Sequence, residues 1–129
     1  MIGKNNPFNI RVSNSRWIGS CGSTRGFVDF SSLEYGVRAA CILIMRSYRM
    51  KDVLTISEII NRYAPKNEND TAVYIAFICS NMGSFPFDIP KCVDFPRLLH
   101  FISRFEGNPI SISTIQNVIN NFKIVPFKC

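Results

Sequence analysis

The chain has 129 residues, 47% of them apolar, and its fifteen lysines and arginines against nine aspartates and glutamates give a net charge of +6. That length and apolar fraction suit one buried core and one domain over residues 1–129. No run reaches the roughly 18 apolar residues that span a bilayer, so no membrane span is expected; the longest candidate, residues 39–45, is bounded by Arg38 and Arg46.

Taken in order, residues 1–30 are rich in Asn, Ser, Gly and Arg and carry no helical period. They read as loops with short strands near residues 9–12, 16–18 and 26–29. Ser31 or Ser32 suits a helix N-cap, with Glu34 in the first turn. Val37, Cys41, Ile44, Met45 and Tyr48 then recur at helical spacing to about Arg49. Gly36 inside that helix costs about 1 kcal/mol unless close packing needs it. Thr55 or Ser57 opens a second helix that Pro65 stops. After a polar loop, Asp70 or Thr71 caps a third, with Val73, Ile75, Ala76, Phe77, Cys79 and Met82 on or near its inward face and Gly83 at its end. Asp94 caps a fourth, Pro96 fits its first turn, and Phe95, Leu98, Leu99, Ile102 and Phe105 mark its stripe. Gly107-Asn108-Pro109 breaks it, and Ser113 or Thr114 starts a last helix to about Phe122. The expected fold is mostly α, an α+β domain of about five helices with a small β element near the N-terminus.

The positive charge favours an anionic partner: nucleic acid, a membrane surface or a bacterial envelope. Nine arginines are scattered from Arg11 to Arg104 with no basic run interleaved with aromatics, so nucleic acid is the less favoured of these. Cys21, Cys41, Cys79, Cys92 and Cys129 form no Cys-x-x-Cys pair, and His100 is the lone histidine, so neither a metal site nor a cofactor is expected. The odd count, with Cys41 and Cys79 inside apolar helical patterns, reads as free thiols without a disulfide. Cys92 and His100 lie eight residues apart, too far for a nucleophilic pair if one helix spans both. Met1-Ile2-Gly3-Lys4 leads into no apolar segment, so no signal peptide is visible and the protein is expected to be made in the cytoplasm.

One order of residues stands out: Asn5-Asn6-Pro7-Phe8-Asn9-Ile10-Arg11, then Trp17 and Gly19, then Phe27-Val28-Asp29-Phe30 and Glu34-Tyr35-Gly36-Val37-Arg38-Ala39. It resembles the phage and prophage lytic enzymes with an Asn-Asn-Pro-Gly-Asn-Ile-Arg stretch, and more distantly bacterial glucosaminidases of the flagellar-hydrolase type. The likeness continues through Arg62-Tyr63-Ala64-Pro65 and the stretch from Asn67 to Tyr74, about two thirds of the chain. The resemblance implies a lysozyme-like fold and cleavage of the β-1,4 bond between N-acetylmuramic acid and N-acetylglucosamine in peptidoglycan. It also implies a periplasmic or cell-wall site of action after delivery by a phage or a secretion machine, with an immunity or secretion partner in the latter case. A monomer is expected.

Such chemistry needs a carboxylic acid at the leaving oxygen. Glu106, at the end of the fourth helix and before Gly107-Asn108-Pro109, is the first candidate; as a plain surface residue it would oppose the helix dipole. In the glucosaminidases the glutamate helix comes ahead of the segment that matches Asn-Asn-Pro, so its late position here suggests a circular permutation. Glu34 is the rival, although a first-turn acid needs no catalytic explanation. Asn6, Asn9, Arg11, Trp17 and Tyr74 are the expected substrate-binding residues, with buried packing as the alternative for Trp17 and either core or cleft wall for Tyr74. No partner acid for Glu106 is evident, which tilts the expected reaction from hydrolysis towards that of a lytic transglycosylase. A non-catalytic wall-binding or virion structural module and a basic nucleic-acid-binding domain are the competing readings.

Overall fold

The computed structural model describes residues 1–66 and 70–129. Two short strands, β1 (Ser20–Thr24) and β2 (Phe27–Phe30), form an antiparallel hairpin. Helices follow: α1 (Leu33–Ile42), running on through a π-helical turn (Leu43–Ser47) into α2 (Tyr48–Met50), then α3 (Ile56–Tyr63), α4 (Thr71–Met82), α5 (Phe95–Phe105) and α6 (Ile112–Asn121). Counting the continuous rod from α1 to α2 once, the described residues form a mostly helical α+β domain of five α-helices with a small sheet near the N-terminus. No helix among the described residues is long and apolar enough to cross a membrane.

The caps explain the helix starts. The Ser32 side chain accepts from the Tyr35 amide, Thr55 and Glu58 close a reciprocal capping box, and Asp70 accepts from the Val73 amide. The last helix starts at Ser111, two residues before the expected cap, because the Ser111 hydroxyl takes the Thr114 amide. Along the rod from α1 to α2, Val37, Cys41, Ile44, Met45 and Tyr48 all turn inward, and Phe95, Leu98, Leu99 and Ile102 do so from α5. In α4 the expected stripe holds in part: Met82 is buried and Ile75, Phe77 and Cys79 pack partly buried against the core, but Val73 and Ala76 are exposed. Thr71, Tyr74, Ile78 and Met82 are buried whereas Val73 is 54% exposed. That helix is apolar nearly all round, so spacing alone does not define its inward face.

The N-terminal arm is held differently. Asn6 is completely buried; its Nδ2 donates to the carbonyls of Ile10 and Val28, and its Oδ1 accepts from the Ile10 amide. Asn5 Nδ2 donates to the Phe30 carbonyl, and the Asn5 carbonyl passes so close to Gly36 that a Cβ there would collide with it. That contact is the close packing that justifies a helical glycine. Of the strands expected at 9–12 and 16–18, the first contributes only a bridge from Arg11 to Phe27 and the second is irregular; β2 pairs instead with Ser20–Thr24.

The expectation of no disulfide is also corrected, since Cys92 and Cys129 are bonded, with Cα atoms 6.1 Å apart. An odd count leaves one thiol over but does not forbid a pair. Here the segment after α6 is drawn across the π turn: the Phe127 amide donates to the Met45 carbonyl, Arg46 to the Val125 carbonyl and Arg49 to the Phe127 carbonyl. That path ends beside the turn before α5. Cys41 is a buried free thiol pushed up to about 12 by burial; Cys79 is half-buried and Cys21 exposed.

Candidate functional site

Glu106 is the C-cap of α5, where the Gly107 backbone turns left-handed (φ +84°) and ends the helix. Asn108 Nδ2 donates to the Pro7 carbonyl at 3.2 Å and ties this corner to the N-terminal arm. The half-buried Glu106 carboxylate is gripped on both oxygens. Asn9 Nδ2 donates to Oε1 at 2.8 Å, and the Tyr74 hydroxyl donates to Oε2 at 2.7 Å. Asn9 lies 97 residues away in sequence and is held in the left-handed region at φ +54°, a conformation asparagine tolerates better than most residues. Tyr74 is buried and stacks on Phe105, with ring centroids 3.9 Å apart, so its hydroxyl has little freedom.

The carboxylate opens on a cleft of about 590 Å³. The arm supplies Asn9, Arg11 and Trp17 to one wall; Ser47 comes from the π turn, Tyr48 from α2, Lys51 from the C-cap of α2, and Arg62 and Tyr63 from the end of α3. Arg11 lies over the Phe27 ring at 4.5 Å. Trp17 is half-buried, and its indole Nε1 has no hydrogen-bond partner among the described residues. Behind Glu106 sits a group of phenols. Burial pushes Tyr74 and Tyr63 far above the ordinary tyrosine value, the charge of Glu106 adds to both, and burial lifts Tyr48 to about 12 despite the opposing pull of Arg62. All three therefore stay neutral at physiological pH, and the Tyr74 hydroxyl remains a donor to the carboxylate. Tyr63 donates to the Phe8 carbonyl.

The structure brings together Glu106, Asn9, Arg11, Trp17 and Tyr74. Asn6 is not with them: its amide is spent inside the arm, so it shapes the wall rather than touching a ligand. Glu34 is exposed in the first turn of α1, away from the cleft lining, where the helix dipole accounts for it. The Cys92–His100 pairing is excluded, because Cys92 is in the disulfide and His100 Nδ1 lies 2.6 Å from the Ile110 carbonyl. Among the described residues no three His, Cys, Asp or Glu side chains gather as a metal site. Asn67, Glu68 and Asn69, part of the family-like stretch before Tyr74, lie outside the described residues. Tyr48, Lys51 and Arg62 are cleft residues that the sequence reading missed. Arg62 and Tyr63 had a signal, as members of the Arg62-Tyr63-Ala64-Pro65 stretch, whereas Tyr48 and Lys51 had none as cleft residues.

Fold and site together define a small helical α+β protein with a carboxylate at the mouth of an open cleft. No known family profile matches the chain. It is similar to Protein P5 of Pseudoalteromonas phage PM2, 36% identical over 85 residues, which is 61% of this chain and 52% of the phage protein. The match thus spans about half the length of that relative.

Proposed function

We propose that this protein is a lysozyme-like peptidoglycan-cleaving glycosidase with Glu106 as its general acid and base. The observation that carries this reading is the Glu106 carboxylate at the cleft, with Asn9 and Tyr74 aiming its two oxygens. Protonated, Glu106 donates to the oxygen leaving the muramic-acid C1 as the β-1,4 bond breaks. The resulting carboxylate then takes a proton from the sugar's own C6 hydroxyl, whose oxygen closes an anhydro ring on C1. One acid suffices for both steps, and Glu106 is the one acid among the described residues lining the cleft. A hydrolytic pair would need a second carboxylate roughly 5–9.5 Å away. Trp17 offers an aromatic face to a sugar ring, Asn9 an amide and Arg11 a cation. The permuted order fits too, because the late α5 places its terminal glutamate against the early Asn-Asn-Pro arm.

The likeness to a phage protein supports delivery to the wall by a phage particle, and keeps a virion structural module with a cleft but no turnover as the second reading. Turnover of purified sacculi by three proteins separates the two. Glu106→Gln should lose on the order of 10²–10⁴-fold in rate while keeping its fold and its binding to walls. Glu34→Gln should match the parent. An inactive parent, or an active Glu106→Gln, would leave the structural module as the better account.

A further inference from the structure

We propose that Lys51 and Arg62 select glycan strands that carry carboxylates, the lactyl and stem-peptide groups of peptidoglycan, over neutral chitin-like strands. This rests on the glycosidase reading for the identity of the strand. Both side chains are exposed, both line the cleft from the side facing the arm, and neither has a hydrogen bond or ion pair among the described residues. Among the described residues that line the cleft, Arg11, Lys51 and Arg62 face one acid, Glu106, whose two oxygens already accept from Asn9 and Tyr74. The described lining is thus net positive, and a cleft of that sign concentrates an anionic polymer.

Co-sedimentation with native sacculi, and with sacculi whose carboxyls have been converted to amides, reads the rim without needing turnover. Lys51→Gln combined with Arg62→Gln should weaken binding to native walls by roughly three- to tenfold and leave binding to amidated walls unchanged. An Arg25→Gln, Lys123→Gln control, with the same loss of charge away from the cleft, should shift native binding much less. Equal losses for the two double variants, or the same loss on both kinds of wall, would overturn the proposal. Failure of the glycosidase reading would show separately, as sacculi bound but not cut.

A second, independent observation concerns the disulfide. We infer that the Cys92–Cys129 bond is a redox-dependent strap that sets the cleft wall formed by the π turn and α2, so that the site is completed only in an oxidising compartment. The π turn and α2 present two faces. Leu43, Ser47 and Tyr48 line the cleft, while the Met45 carbonyl, Arg46 and Arg49 on the other face hold the backbone of residues 125–128. The disulfide is the covalent end of that strap, and Cys129 is exposed to exchange. With oxidised glutathione as oxidant, one protein thiolate displaces glutathione to form a mixed disulfide. The second thiolate then displaces the other glutathione, so two thiols and two protons leave the protein side as two glutathione thiols form.

Amide hydrogen exchange over residues 43–48 tests the strap in the full chain, before and after reduction with dithiothreitol. Reduction should speed exchange there, and should slow wall turnover on the order of tenfold to a hundredfold through a displaced cleft wall. Oxidised glutathione should restore both. Cys92→Ser should behave like the reduced protein under both conditions. Unchanged exchange at 43–48, with both thiols shown free by mass spectrometry, would overturn the inference.

Discussion

The N-terminal arm and the helical bundle meet at the cleft but are built on different physics. The bundle is held by apolar burial: Ile44, Ile60, Ile78, Leu98 and Ile102 are wholly enclosed, and each helix is positioned by the face it hides. The arm has little sheet and no helix. Its shape comes from amides reaching backbone carbonyls, Asn5 to Phe30 and Asn6 to Ile10 and Val28. Two asparagines three residues apart show the contrast most plainly. Asn6 spends its amide inside the arm, whereas Asn9 directs its amide across the cleft to a carboxylate carried by the bundle. The bundle thus supplies the acid, and the arm supplies what aims it.

The comparison can be broken at several points, in decreasing order of expected effect. Cys92→Ser removes a cross-link closing 37 residues of sequence, and should cost about 4 kcal/mol of unfolding free energy by the loop-entropy relation. Urea denaturation in non-reducing buffer measures it. Asn6→Ala should cost about 3 kcal/mol, because the Val28 carbonyl and the Ile10 amide lose their Asn6 partner in a fully buried place, while the Ile10 carbonyl keeps only the Val28 amide. Asn9→Ala should lower the melting temperature far less while reducing turnover, which would separate scaffold from site.

Alkali should probe the bundle. The Tyr48 phenol, raised to about 12 in the fold, has an unfolded value near 10. Stability from its neutral form is therefore complete below pH 10 and is lost as pH climbs from 10 to about 12, a total of roughly 2–3 kcal/mol. Tyr63 and Tyr74, pushed higher still, add to the fall. The difference between the parent and Tyr48→Phe in denaturation midpoints at pH 9, 10 and 11 therefore follows the Tyr48 part; no difference would mean that Tyr48 is not shielded. The smallest effect is expected from Tyr74→Phe. It keeps the stacking on Phe105 and removes one hydrogen bond to the carboxylate, worth about 1.5–2 kcal/mol. Turnover on sacculi should fall by about tenfold or somewhat more, with the melting temperature little changed.

What could be read from the chain follows the same division. Helices α1, α3 and α5 were legible because side-chain spacing and capping residues report burial directly, as Val37, Cys41 and Ile44 do on α1. Helix α4 was legible in extent but not in orientation, because Ile75, Ala76, Phe77 and Ile78 leave no polar face to mark the outside. The arm's hydrogen bonds cross from residues 5 and 6 to residues 28 and 30, and no local pattern encodes such pairings. Its asparagines were legible only as a family-like stretch, which grouped Asn6 with Asn9 and could not tell the buried amide from the one in the cleft. The disulfide was missed for a related reason. Arg46 and Arg49 dock the segment that brings Cys129 to Cys92, and neither arginine signals that role in sequence.

The most direct test of the central claim is the identity of the ends left on the glycan. Sacculi digested with the oxidised protein, and with Glu106→Gln in parallel, are separated and weighed by mass spectrometry. The account predicts disaccharide-peptides ending in 1,6-anhydro-muramic acid from the parent and none from the variant. Reducing ends would keep Glu106 as the acid but convert the reaction to hydrolysis, with a second carboxylate to be found. Intact glycan in both digests, or equal products from both, would contradict the claim that this cleft and its glutamate cut the wall.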